Sequence, residues 1–463
     1  MLACFRKASR WTPDGACDRD VSEWRAYWEE GAGLKIGIPR GTADILPGEV
    51  ERWQYIEGLA REWAGRYNYR EVRTPVFEHT ELFLRGVGET TDIVEKEMYT
   101  FLDRKGRSFT LRPEGTASVV RTYVEHKLYA EPGVTKWYYM GPMFRYERPQ
   151  SGRSRQFTQF GVEALGSGHP SVDGEVIALA HNFLRDLGLR HLRLELNSVG
   201  CADCRPLHRE KLIQHMRPTR AQLCEDCQSR LERNPMRILD CKNERCRQLT
   251  NEAPTLLDCL CPDCSAHFEQ VQEQLHRIDI SFEVNPRLVR GLDYYTQTAF
   301  EFMLDGVQAM GTLCGGGRYN GLVKELGGED VPGIGFALSF ERLLPALEAQ
   351  QVALPVKTAL DLYLAPLGEA AQREMLPILE ELRKAGFRVE ADFQGRKMKA
   401  QLKAADRLGA RWVLILGEQE LARGEIQLKE MASGLQQAVA LPSLLPFLQE
   451  QKSVSSVQGE VEA

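Results

Sequence analysis

The chain contains no apolar run long enough to span a bilayer, which sets aside an integral helical membrane protein. It has no basic excess either. Its 59 Lys and Arg stand against 65 Asp and Glu, a net charge of -6, so any nucleic-acid contact has to come from local patches rather than overall attraction. Met1 to Gly33 lacks an apolar segment and carries Asp14, Asp18, Asp20, Glu23, Glu29 and Glu30, which argues against a secretory or transit peptide and leaves a cytoplasmic address as the expectation. No G-x-x-x-x-G-K-[ST] loop occurs, and GVGETTD at Gly86 lacks the lysine such a loop supplies, so if ATP is bound another device holds it. Cysteine is scarce outside one region. Nine of the 12 fall between Cys201 and Cys264, unlike the even spread of a disulfide-stapled secreted chain, and point to a local metal site or structural thiols.

What remains is 463 residues of ordinary soluble composition, 43% apolar and 27% charged, enough for two or three domains. Residues 1–34 lack periodicity and read as an appended, poorly ordered extension; KIGIPRGTADILP from Lys35 opens a domain. Trp53, Ile56, Leu59, Ala60 and Trp63 recur at helical spacing, followed by a short strand at Arg70 to Thr74 and a stop at Pro75. Further strands are predicted at Lys136 to Gly141, Gln156 to Leu165, Leu192 to Leu196, Ala299 to Leu304 and Gly333 to Ala337. Helices are predicted around Thr116 to His126, Asp173 to Leu187 and Phe340 to Ala349. Irregular interspersion of strands and helices predicts an α+β core around an antiparallel sheet, spanning residues 35–350 with a cysteine-rich insertion at about 201–277. After a boundary at 349–357 the chain alternates strand and helix as a small α/β domain to residue 450, with a kink expected at Pro377, a cap at Gly386, and a flexible tail over 451–463.

The segment GPMFRYERPQSGRSRQFTQFGVEALG, from Gly141, reads as two strands joined by a polar loop at Pro149 to Arg155. Gln159, Gly161 and Glu163 share one face at period two, a glycine between two polar groups leaving room for a ligand on the sheet, with Arg145 on the other strand reaching the same space. A solvated hairpin with paired charges is the plain alternative for any one of these residues alone.

This segment resembles motif 2 of the class II aminoacyl-tRNA synthetases, in the version specific for histidine. The helix, strand and Pro75 resemble motif 1, which builds a dimer interface in that class, and GIGFALSFERLL from Gly333 resembles motif 3. TLRPEGTASVVR from Thr110, LVRGLDYYT from Leu288 and CGGGRYNGL from Cys314 complete a set that runs in family order over residues 36 to about 450. The resemblance implies an ATP-dependent ligase that activates L-histidine and loads it onto histidine tRNA, working as a homodimer with Mg²⁺ on the pyrophosphate side. It implies that Arg145, Arg290 and Arg342 stabilise the phosphate charge that builds as the carboxylate attacks. Glu163 and Tyr295 would pair the imidazole nitrogens with Tyr319 near the ring, and Glu114, Thr116 and Gln159 would hold the α-amino group. For Tyr294 and Tyr295 an aromatic pair in a core is the alternative, and it suits Tyr294 better. Gly315 to Gly317 read either as a turn or, by resemblance, as the pocket floor.

Arg148, Gln150, Arg153 and Arg155 would meet the tRNA acceptor end, and Arg396, Lys397, Lys399, Lys403 and Arg407 could track phosphates from an anticodon-binding domain. Cys224-x-x-Cys227 and Cys261-x-x-Cys264, with Cys241 and Cys246 between and Cys201 and Cys204 as another pair, have the spacing of a structural Zn²⁺ site, buried thiols being the alternative. A rival function is a synthetase-like regulatory subunit of ATP phosphoribosyltransferase, which would keep the fold but typically erode the arginines and lack the C-terminal domain.

Overall fold

The computed structural model of the chain describes residues 36–88, 91–305, 311–356 and 360–461, with side chains described as far as residue 452. The expected N-terminal extension, residues 1–34, lies outside the described residues. The chain forms two compact units. One gathers Leu59–Val352 with the described residues up to Ile45; the other gathers Leu46–Gly58 with the described part of Ala353–Ala463. The first half of the helix Val50–Arg66 is thereby grouped with the C-terminal unit, although sequence order alone placed it in the first domain.

In chain order the strands of the first unit are β1 (Arg70–Glu71), β2 (Phe77–His79), β3 (Tyr99–Leu102), β4 (Ser108–Leu111), β5 (Thr135–Phe144), β6 (Gln156–Leu165), β7 (Leu192–Ser198), β8 (Glu283–Val284), β9 (Thr296–Leu304), β10 (Thr312–Arg318) and β11 (Gly333–Ser339). Eight of them form one sheet in the order β1-β5-β6-β11-β10-β9-β7-β8. Every pairing from β5 to β7 is antiparallel, and only the short edge strands β1 and β8 add parallel pairs, so the predicted antiparallel core is present.

Alternation in β6 sorts its side chains. Phe160 packs on one face against Phe183 of the helix Pro170–Asp186 and Phe336 of β11, with ring centroids 5.5 and 5.9 Å apart, while Gln159, Gly161 and Glu163 point to the other face. The helix begins with Pro170 at its first position, where the missing N–H costs no bond, and the His169 ring accepts the Ser171 N–H at 3.2 Å. Arg318 at the end of β10 is fully buried and clamps that helix: its guanidinium grips Asp173 and donates to the Ser167 and His169 carbonyls at 3.0 and 3.1 Å. His267, from the helix Pro262–Arg277, reaches the same Asp173 at 3.2 Å, so the buried ions are mutually paired rather than stranded.

The small antiparallel sheet β2-β4-β3 was not foreseen. Its strands are too short to show periodicity, and what makes the β3–β4 hairpin is an Asx turn, with Asp103 accepting the N–H groups of Lys105 and Arg107 at 2.8 and 2.9 Å.

The second unit carries β12 (Leu362–Pro366), β13 (Val389–Ala391), β14 (Trp412–Leu416), β15 (Glu425–Glu430) and β16 (Gln436–Ala440), in the order β13-β12-β14-β15-β16. The first three are parallel, as strand-helix alternation demands, and β15 and β16 add an antiparallel hairpin at the edge. The helix Glu369–Lys384 passes through Pro377 as a single element, and Gly386 just beyond it adopts the left-handed conformation of a C-terminal stop, φ 81°. Of the expected tail, residues 451–461 continue the helix Leu444–Val461, and 462–463 lie outside the described residues. Leu444 and Leu448 anchor that helix in the unit's core, and no proline follows Pro446 to break it.

Candidate active site

The polar face of the large sheet forms the floor of a cavity of about 340 Å³ whose walls include Glu114, Thr116, Arg145, Gln159, Glu163, Arg290, Tyr294, Tyr295, Tyr319 and Arg342. These ten residues assigned to histidine or ATP from the sequence therefore converge on one space, although they are drawn from segments up to 228 positions apart, from Glu114 to Arg342; of the glycines expected on its floor, Gly315 lines it and Gly316 and Gly317 do not. Two bonded neighbours on β10 point opposite ways: Gly315 faces the cavity, and a Cβ there would sit 2.5 Å from the Arg290 guanidinium, while Gly316 faces Phe300 and Phe336. The turn reading of Gly315 to Gly317 is thus corrected; strand pairing on both sides holds them extended. On β11 a Cβ at Gly335 would come within 2.0 Å of the Glu163 carboxylate, so glycine is what lets that side chain lie across the neighbouring strand.

Gly161 has a different use from the one expected. The ring of Tyr139 lies over it, with the hydroxyl 2.4 Å from where a Cβ would be, so the space left by the missing side chain holds a tyrosine, not a ligand. That tyrosine, missed in the sequence, donates to Gln159 Oε1 at 3.1 Å; the Gly115 N–H meets the same oxygen at 3.1 Å. Gln159 is thereby oriented with its carbonyl inward and its NH₂ left to donate.

Glu163 is the buried centre of the pocket, 1% exposed. Thr116 Oγ1 donates to one carboxylate oxygen at 2.7 Å and the Tyr319 hydroxyl to the other at 2.5 Å. Burial raises its pKa, the Thr116 and Tyr319 hydrogen bonds oppose the rise, and the nearby Glu114 charge adds to it, leaving the group at about 8. Glu114 is also held above the ordinary carboxylate value by burial, although its oxygens accept the first N–H groups of the helix Thr116–Glu125, from Thr116 and Ala117, both at 2.8 Å. That helix has no other side-chain cap, so Glu114 serves the fold as well as the cavity. Tyr294 stacks on Tyr295 with centroids 4.7 Å apart and approaches Tyr319 edge-on at 5.9 Å. Its hydroxyl points at Glu114, 3.5 Å away, so Tyr294 lines the cavity while its ring packs in the hydrophobic cluster with Tyr123, Val289 and Leu322.

The arginines line the same cavity. Arg145 is positioned by donating Nε to the Pro113 carbonyl at 2.8 Å and by stacking over Phe157 at 5.3 Å. Arg342 donates to the Thr312 carbonyl at 2.5 Å; burial, then the neighbouring Arg153 and Arg145, pull its pKa below the ordinary arginine value. Several guanidinium groups gathered in one cavity suit an anionic ligand. Arg290 lies over Tyr295, 5.3 Å from the ring centroid. Burial disfavours its charge, but the ion pair with Glu301 outweighs that and holds it above its ordinary value. Glu301, which also accepts from Thr312 Oγ1, was not singled out in the sequence; only its place on the inward face of β9 betrays it. Asp240 and Lys242 were missed for the same reason, because they lie in the insertion and enter the cavity only through its folding.

The comparisons with known proteins match this geometry. A family model described as histidyl-tRNA synthetase covers residues 41–343, and one described as an anticodon-binding domain covers residues 361–451. The chain belongs to the histidyl-tRNA synthetase family. A histidine–tRNA ligase from Anoxybacillus flavithermus is 59% identical over 418 residues, which is 90% of this chain and 99% of the relative. One from a Geobacillus strain is 58% identical over 91% of this chain and all of its own length. The crystal structure of apo Staphylococcus aureus histidyl-tRNA synthetase superposes with a TM-score of 0.77 at 45% identity, covering 89% of this chain and all of that one. The class II synthetase core and the C-terminal anticodon-binding domain are thus both present, which tells against a truncated regulatory subunit. Among the described residues no helix is long and apolar enough to cross a membrane.

Within this synthetase fold the remaining predicted residues separate. In the β5–β6 loop Arg148 and Gln150 are exposed, whereas Arg153 turns inward, pairs with Glu147 at 3.1 Å and lines the cavity. Arg155 stacks on Tyr146 at 3.8 Å and is held in place by that ring. On the helix Met398–Arg407, Lys399, Lys403 and Arg407 form an exposed stripe four residues apart, while Arg396 is tied to Asp392 at 2.5 Å. The cysteine pairs Cys224/Cys227 and Cys261/Cys264, expected to share one site, lie in two separate groups: Cys224 and Cys227 with Cys241 and Cys246, and Cys261 and Cys264 with Cys201 and Cys204. Sequence spacing alone could not say which pairs meet.

Proposed function

We propose that this protein joins histidine to the 3′ end of histidine tRNA in two steps. The histidine carboxylate attacks the α-phosphorus of ATP, forming histidyl-adenylate and releasing pyrophosphate. A terminal ribose hydroxyl of the tRNA then attacks the acyl carbon and AMP leaves. The observation that carries the reading is Glu163, a buried carboxylate gripped by Thr116 and Tyr319, set in the same cavity as mutually repelling arginines. An imidazole N–H donating to Glu163 favours its ionised form, and Tyr295 completes the ring's partners. Glu114 and Thr116 accept from the α-amino group, while Gln159, its Oε1 already accepting from Tyr139 and the Gly115 N–H, turns its NH₂ to the substrate as a donor.

Arg145 and Arg290 bracket the reacting carboxylate and α-phosphate, and Arg342 meets the outer phosphates, with Mg²⁺ accompanying the pyrophosphate. No protein nucleophile is needed, because alignment and fixed positive charge supply the stabilisation. Arg148, Gln150 and Arg153 meet the acceptor end, the stripe Lys399, Lys403 and Arg407 follows the anticodon stem, and two copies associate through the segment around Pro75. The deciding experiment is amino-acid-dependent exchange of pyrophosphate into ATP across all amino acids. Histidine alone supports exchange; silence with histidine overturns the reading.

A further inference from the structure

The insertion between Cys201 and Cys264 is hard to stabilise by apolar burial. Its helices Cys204–Met216, Glu225–Arg233 and Glu244–Leu249 are too short to persist alone, and its own core is a handful of aliphatic side chains around Leu212, Met216, Leu231 and Ile238. Three of the buried members of that core are cysteines, Cys227, Cys241 and Cys246.

In each of the two groups all four sulfurs lie within 4.8 Å of one another. Cys201 and Cys204 are 3.6 Å apart, Cys201 and Cys261 3.9 Å, and Cys224 and Cys241 3.9 Å. Four thiolates at about 2.3 Å from a tetrahedral zinc lie about 3.8 Å from each other, the separation seen here, whereas a disulfide needs about 2.05 Å. Backbone N–H groups aim at the sulfurs, as suits thiolates: Cys261 to Cys204 at 3.1 Å, Cys224 to Cys246 at 3.3 Å and Asn243 to Cys241 at 3.4 Å. Cys259 and Cys314 are buried thiols outside both groups and act as internal controls.

We propose that the insertion holds two structural Zn²⁺ ions, one on Cys201, Cys204, Cys261 and Cys264 at its neck and one on Cys224, Cys227, Cys241 and Cys246 within it. All four positions are protein thiolates in each case, which leaves no place for a reacting water and makes both sites structural. The neck site ties the chain leaving β7 to the start of the helix Pro262–Arg277, so the insertion enters and leaves at one point. Arg205, next to Cys204, donates to the Tyr295 carbonyl and so links that neck to the histidine pocket. The inner site holds the segment that carries Asp240 and Lys242 into the cavity wall and Arg237 onto the Arg290 carbonyl at 3.2 Å. The proposal stands on the cysteine geometry and does not depend on the ligase reading.

The test is metal analysis of the full-length chain, purified without a histidine tag or chelator from zinc-supplemented cells. Two zinc ions per chain are expected. The double variants Cys201→Ser/Cys204→Ser and Cys224→Ser/Cys227→Ser should each lose one and keep the other. Because a variant can fail to fold, the unmodified chain is also exchanged with Co²⁺, which should show the thiolate-to-cobalt charge transfer of tetrathiolate sites, saturating at two per chain. One zinc or none per chain, loss of both ions from a single variant, or eight thiols found as disulfides would each overturn the proposal.

Discussion

Replacing Glu163 by Gln tests the electrostatic heart of the pocket without using activity as the readout. In the ligand-free fold this carboxyl sits at about 8 against an ordinary 4.5, because burial penalises its charge. The unfolded chain loses that proton from pH 4.5 upward while the folded one keeps it, so stability falls as pH rises and levels off above pH 8. At about 1.4 kcal/mol per pH unit the full penalty approaches about 5 kcal/mol, of which about 1 is present at pH 5 and about 3 at pH 7. Gln is neutral at every pH, and the Thr116 and Tyr319 hydroxyls can each turn to accept or donate, so any fixed cost of the substitution cancels when two pH values are compared. The stability of Glu163→Gln relative to the parent should therefore improve by about 2 kcal/mol between pH 5 and pH 7, measured by urea denaturation of the ligand-free protein. A difference that stays flat over that range would refute the raised carboxyl. Histidine affinity should move the other way, weakening about tenfold or more as a charge-assisted hydrogen bond is lost.

Arg290→Ala should cut pyrophosphate exchange by about a hundredfold through lost charge stabilisation, and an unchanged kcat would remove it from the reacting centre. Because Glu301 loses its buried partner, the same variant should also melt lower, an effect the sequence did not foretell. Gly315→Ala sets a methyl 2.5 Å from the Arg290 guanidinium, the movable end of a side chain, so exchange should fall while the fold survives; Gly316→Ala meets the Gly335 carbonyl at 2.3 Å and should fail to fold, seen by circular dichroism. Replacing Lys399, Lys403 and Arg407 together by Ala should raise KM for tRNA about tenfold or more and flatten its salt dependence; an unaltered KM would take that helix off the tRNA path.

Much of this protein was legible from residues alone, for a definite reason. Period-two alternation in Gln156–Leu165 told which side chains share a face, and β6 spans that range with Phe160 turned to the core and Glu163 to the cavity. The resemblance to family motifs named the arginines. What could not be read was anything decided by which distant segments meet. Alternation shows that Gly161 faces the cavity side but not that Tyr139 lies over it, and for Gly315 it left a turn open where the structure has a strand beneath Arg290, because the filling side chain comes from another strand or loop. Glu301, Asp240 and Lys242 carry no local signature, and only the sheet order and the fold of the insertion bring them to Arg290 and the cavity. The cysteines mark the same division: their C-x-x-C spacing announces pairs, since two sulfurs three residues apart at the start of a helix are close neighbours, whereas which pairs share a site depends on chain paths that only the tertiary structure supplies.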